Sequence, residues 1–121
     1  MDKQTFIRAI KRTVRDAAIG GSLAILRKPP GRKPDPRLIR LAEWFNSLPP
    51  EQQDNVAELS TLATDQAVFG FLCVLDGVRQ IEDDPDKGRL VLNFEKHGNS
   101  LVLNDGSEPE LHDLFKAETA R

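Results

Sequence analysis

This 121-residue chain has no tyrosine and only one cysteine, one tryptophan and one methionine. A lone cysteine excludes an internal disulfide and fits a reducing, cytoplasmic setting. Cys73 sits in the apolar run 67–75 (AVFGFLCVL), so it reads as a small buried hydrophobe rather than a nucleophile or redox sensor. The glycines are scattered at expected turns and helix ends and form no phosphate-binding pattern. His97 and His112 are the only histidines, and no nucleophile motif accompanies them. His112 stands beside Asp113, but adjacent residues on a helix do not face each other, so this pair is not read as catalytic. No enzyme, cofactor or metal is therefore expected.

No targeting segment is expected either. Residues 17–26 (AAIGGSLAIL) follow several basic residues, as the apolar part of a signal peptide would. Asp16 abuts them, no small-residue cleavage site follows, and Arg27-Lys28-Pro29-Pro30 ends them abruptly. The segment is also too short to span a bilayer. The reading is a protein neither secreted nor embedded in a membrane.

What the chain does have is a division of charge. Residues 1–48 hold eleven Lys/Arg and four Asp/Glu, a balance of +7. Residues 49–121 hold six Lys/Arg and fifteen Asp/Glu, a balance of −9, so the formal total of −2 conceals a strong dipole along the sequence. Such asymmetry points to a charged partner. An apolar share of 39% and a charged share of 30% are those of a soluble globular domain, and the length suits one domain with an appended arm.

Periodicity divides the chain further. Phe6, Ile10, Val14 and Ala17 share one face of a helix, and Arg8, Lys11, Arg12 and Arg15 share another. Gly20-Gly21 is expected to end this helix. Residues 27–36 (RKPPGRKPDP) form a stiff basic connector. Residues 1–34 are therefore read as a basic arm and connector, and residues 35–121 as a helical and hairpin domain. Asp35 and Pro36 signal the start of a second helix carrying Leu38, Leu41, Trp44, Phe45 and Leu48. Pro49-Pro50 breaks and restarts the chain. Residues 50–81 follow as one helix or two, with a break near Thr64-Asp65 or Gly70 in the second case and the apolar pattern continuing through Val78 and Ile81. Trp44, Phe69, Phe71 and Leu72 are expected in the core, and Gly70 and Gly77 are read as allowing close helix contact. After the turn at 82–88, alternation over 90–95 and 101–103 predicts a β-hairpin closed by Lys96-His97-Gly98-Asn99. Ser107 and Glu110 form a capping-box pattern for a last short helix. The fold class is α+β: three or four helices, one antiparallel hairpin and a short C-terminal helix.

Two charged sets are candidate sites. Glu82, Asp83, Asp84 and Asp86 cluster in the turn, where negative charge at a helix C-terminus is locally unfavourable, which suggests that they serve a partner. Their spacing does not match a twelve-residue calcium loop. Arg8, Lys11, Arg12 and Arg15 with Arg32 and Lys33 offer a nucleic-acid surface. A sequence pI of about 5.7 and the lack of any recognition motif weigh against a dedicated nucleic-acid binder.

The segments WFNSLPPEQQ, FGFLCVLDGVRQIED and LNDGSEPELHDLF, together with the hairpin, resemble small bacterial proteins. The size and acidic body are similar to those of bacterial immunity proteins, which bind and block a cognate toxin. The resemblance covers roughly residues 44–116 and carries no functional residues across. It implies a non-enzymatic inhibitor that meets a basic toxin or nuclease with its acidic surface. The alternative is a nucleic-acid-associated regulator using the basic arm. The apolar face of the arm needs a docking place, and the connector is long enough to carry it to a second subunit, so a homodimer is expected.

Overall fold

The computed structural model describes residues 1–120 and has the α+β architecture that periodicity predicts. In chain order the elements are α1 (Lys3–Ile10), a π-helical segment (Lys11–Asp16), α2 (Ala17–Arg27), α3 (Pro36–Ser47), α4 (Pro50–Leu75), β1 (Asn93–Lys96), β2 (Asn99–Val102) and α5 (Leu111–Thr119).

The N-terminal helix is longer than expected. Backbone angles stay right-handed helical from Ile10 through Ala17, so α1, the π segment and α2 form one continuous rod. Gly20-Gly21 does not end it. A glycine inside a helix costs only about 1 kcal/mol, and packing of α2 against α3 and α4 outweighs that. Ile7 is buried, and Lys11, Arg15, Ile19 and Leu23 are half-buried behind it, one every four residues. An ordinary helix repeating every 3.6 residues would rotate such a series off the contact face; the wider π turn holds it in line. The same shift leaves Val14 45% exposed and points Arg15 inward.

Helix ends leave orphan carbonyls, and here side-chain amides from later segments meet them. Asn46 Nδ2 donates to Leu26 O and Arg27 O at the end of α2. Gln53 Nε2 donates to Phe45 O and Leu48 O at the end of α3. Asn104 Nδ2 donates to Leu75 O, the last carbonyl of α4. The start of α3 is as its sequence signals: Asp35 Oδ1 accepts from Arg37 N, with Pro36 in the first turn.

Residues 50–75 are one helix, without a break at Thr64-Asp65 or Gly70. The helix stops at Asp76 and Gly77, whose φ of 77° only glycine adopts without strain. The apolar pattern therefore does not continue as helix: Val78 and Ile81 lie outside it and are exposed. Gly77 is not on a helix face, and Gly70 is covered by the Arg79 guanidinium rather than by another helix. The hairpin pairs Asn93 with Val102 through Lys96 with Asn99. Its turn is only His97-Gly98, both at positive φ (52° and 78°), the two-residue type whose twist matches antiparallel strands. Leu90 and Val91 stay outside the strand.

The core joins the two ends of the chain. Ile7, Leu72, Leu111 and Phe115 form its centre, with Phe6, Val68, Phe69, Leu75, Leu92 and Leu114 packed around them. Leu72 and Phe69 are where the pattern predicts. Trp44 and Phe71 are not: they are 50% and 62% exposed. One side of α4 packs against α2, the π segment and α5, while Leu59, Leu62, Ala63, Ala67 and Phe71 on the other stay exposed. The arm is part of this core. Its residues Phe6 and Ile7 dock on the chain's own body, so docking needs no second subunit.

Candidate functional site

The C-terminal end of α4 and the start of α5 bring three titratable groups together. Asp76 follows the last residue of α4, and its side chain is only 2% exposed. Its Oδ2 accepts from the backbone N of His112 at 2.9 Å and stands 2.6 Å from His112 Nδ1. The carboxylate thus caps α5 from another helix and orients the imidazole, whose Nδ1–H donates to it. His112 Nε2 points toward Asp113 Oδ1 at 3.4 Å, and the ring lies edge-on to Phe69. Asp113 does reach the imidazole, contrary to the expectation for helical neighbours, but the short, buried partner is Asp76, 36 residues away in sequence. No local pattern in the sequence signals this pairing, because the apolar pattern reads on through Asp76 to Ile81.

Glu110 joins these two, with donor atoms of Asp76, Glu110 and His112 all within 4.8 Å of one another. Of the described residues, this trio is the set able to hold a metal ion. A tetrahedral zinc site keeps its ligand atoms about 3.4 Å apart, given bonds of about 2.0–2.2 Å. The 2.6 Å between Asp76 Oδ2 and His112 Nδ1 is shorter than that and fits a direct hydrogen bond. The geometry is that of a helix-docking bracket.

Beside it, residues 77–91 form an exposed loop. The loop, the end of α4 and residues 104–106 enclose a cleft of about 540 Å³ lined by Asp76, Arg79, Glu82, Lys87, Arg89 and Asp105, among others. All four predicted acids lie in this loop and are exposed. Glu82 Oε2 accepts from Gly88 N and Asp84 Oδ1 from Asp86 N, which shapes the loop without neutralising it. Among the described residues, none of Glu82, Asp83, Asp84 and Asp86 has a basic nitrogen within 4.0 Å.

The basic face behaves differently. Arg15 forms a two-point pair with Asp65 (Nε to Oδ1 2.7 Å, Nη2 to Oδ2 3.0 Å) and also contacts Asp16. The Asp65 bonds hold the guanidinium proton far more firmly than usual. Arg8 meets Glu118, and Lys11 meets Asp16. Lys3 reaches Asp105, whose pKa is driven well below the usual carboxylate range by hydrogen bonds from Ser107 and Lys3. Arg12, Arg32 and Lys33 are exposed, with no carboxylate within 4.0 Å among the described residues. The six basic candidates are thus split into three engaged and three free.

Cys73 is buried, and burial raises its thiol pKa, the reverse of what a nucleophile needs. Pro50–Leu75 is long and apolar enough to cross a membrane by length and composition alone. No known protein family, curated protein or solved structure matches the chain.

Proposed function

We propose that the protein is a non-enzymatic interaction module, an inhibitor of the immunity type, that binds a basic toxin or nuclease through Glu82, Asp83, Asp84 and Asp86. One observation carries this reading: Arg8, Lys11 and Arg15 engage carboxylates elsewhere, while among the described residues Glu82, Asp83, Asp84 and Asp86 of the exposed loop have no cationic partner within 4.0 Å. A patch of unpaired charge on an exposed loop accelerates association with an oppositely charged cleft and repels wrong partners. A second reading keeps some support, because Arg12, Arg32 and Lys33 remain free to meet phosphates.

The test is capture of partners from the native host by the full chain and by the quadruple variant Glu82→Gln, Asp83→Asn, Asp84→Asn, Asp86→Asn. The expected result is a basic protein retained by the full chain, released by salt and lost with the variant. Retention of the same partner by the variant overturns the acidic-loop reading. In parallel, duplex DNA and RNA are titrated at low salt; tight binding that Arg12→Glu and Lys33→Glu abolish transfers the function to the basic face.

A further inference from the structure

The accessible surface of the chain is 8653 Å². A compact monomer of 13.5 kDa is expected to expose about 6,500 Å² by the usual scaling of surface with mass. The excess, about 2,100 Å², is more than the roughly 800 Å² that each partner buries in a standard interface. Much of what is exposed is apolar, and α4 supplies the longest regular part of it. Leu59, Leu62 and Phe71 are 64%, 56% and 62% exposed, and Ala63 and Ala67 lie open between them. At about 100° per residue these five share one half of the helix, while Glu51, Asp54, Glu58 and Asp65 fall in the other half. The helix itself places no charge on this face, and the Arg79 guanidinium lies against it at Gly70, toward one end.

Its order is nearly symmetric. Leu59, Ala63, Ala67 and Phe71 follow at four-residue spacing, large, small, small, large, and their midpoint is residue 65. Ridges at this spacing interdigitate when two helices cross at about −50°. Reversing one helix about a two-fold axis at the midpoint superposes large on large and small on small. We propose that two copies of this chain pair through α4 in that way, with Leu59 of one copy against Phe71 of the other and the alanines at the crossing. This is a different surface from the acidic loop and leaves that loop free.

The composition of α4 also fits a bilayer, but its surroundings do not. Asp65, near its middle, is tied to Arg15, the N-terminal rod and α5 pack against the other half, and Glu51, Asp54 and Glu58 stand exposed on its first turns. A helix apolar and open on one side only matches one protein partner rather than lipid all round.

Sedimentation and light scattering of the full chain at micromolar concentration test this. The expected mass is twice 13.5 kDa. Phe71→Glu is expected to weaken the dimer by at least about tenfold, the equivalent of 1.4 kcal/mol, with an unchanged circular dichroism spectrum. Ala63→Lys, also at an open helical position, serves if Phe71→Glu does not fold. Leu101→Glu on the hairpin and the quadruple acidic-loop variant are expected to remain dimeric, which separates this proposal from the partner reading. A full chain that stays at 13.5 kDa throughout overturns the proposal, as does a dimer that neither α4 variant weakens. So does a monomer that floats with phosphatidylglycerol vesicles, which assigns the face to a membrane.

Discussion

Asn104→Ala is the most informative single perturbation of the fold. Asn104 is only 5% exposed, yet its carboxamide has all its partners. Nδ2 donates to Leu75 O at 2.7 Å and to Leu90 O at 2.9 Å, and Oδ1 accepts from Leu92 N at 2.8 Å. One side chain therefore ties the end of α4 to the chain entering the hairpin. Each such bond is worth about 1 kcal/mol net, and an orphaned buried partner costs about 1–3 kcal/mol. Three bonds with partly solvent-reachable partners give a loss of about 3 kcal/mol. That is a large share of the 5–15 kcal/mol typical of a domain and corresponds to a fall in Tm on the order of 10 °C. Urea unfolding followed by far-UV circular dichroism measures it, with the slope against urea unchanged. A loss under about 1 kcal/mol would refute the reasoning, because the carboxamide would then be replaceable by water. Asn104→Asp sharpens the test. It keeps the shape but turns a carboxylate toward two carbonyl oxygens, so the neutral acid is favoured in the folded state and its pKa there lies above the unfolded value of about 3.9. The folded variant then binds more protons than the unfolded chain, so its stability is greatest at low pH and is lost as pH rises through the folded pKa.

Other outcomes follow from the same packing. Ile7→Ala and Phe115→Ala, both essentially without exposure, are expected to cost about 2–5 kcal/mol in urea unfolding, whereas Phe71→Ala in the dissociated chain should cost under about 1 kcal/mol. Cys73 should resist a thiol reagent in the folded chain and react only after denaturant is added, since burial both hides the thiol and raises its pKa. The Asp105 carboxyl is depressed in the folded state by Ser107 and Lys3, so its stabilising contribution is present above the unfolded pKa and is lost as pH falls through the folded value. Asp105→Asn should therefore flatten the acid limb of the stability profile, and an unchanged limb would exclude this contact as its source.

The amino-acid sequence by itself determined what depends on short range. Asp35-Pro36 starts α3 because a carboxylate and a fixed φ satisfy the first turn locally. His97-Gly98 closes the hairpin because a short turn with positive φ needs such residues. Exposure of the four acids in the loop was legible for the same reason: charge without an apolar neighbour stays in water. Decisions made between distant segments were not legible. Ser107 and Glu110 have the capping-box spacing, yet Ser107 bonds to Asp105, and α5 begins only at Leu111, capped by Asp76 from α4. No local rule names Asp76 as that cap, as the partner of His112, or Asp65 as the partner of Arg15. Gly20-Gly21 reads as a helix end, but packing of the N-terminal rod against α3 and α4 outweighs a propensity of about 1 kcal/mol per glycine. The wheel drawn at 3.6 residues per turn misplaced Val14 and Arg15, because the π segment changes the period only where the rod meets the core. Apolar composition marked α4 as a helix to be covered; which half of it is covered, and that Phe71 is left outside while Leu72 is not, depended on where the two ends of the chain came to rest.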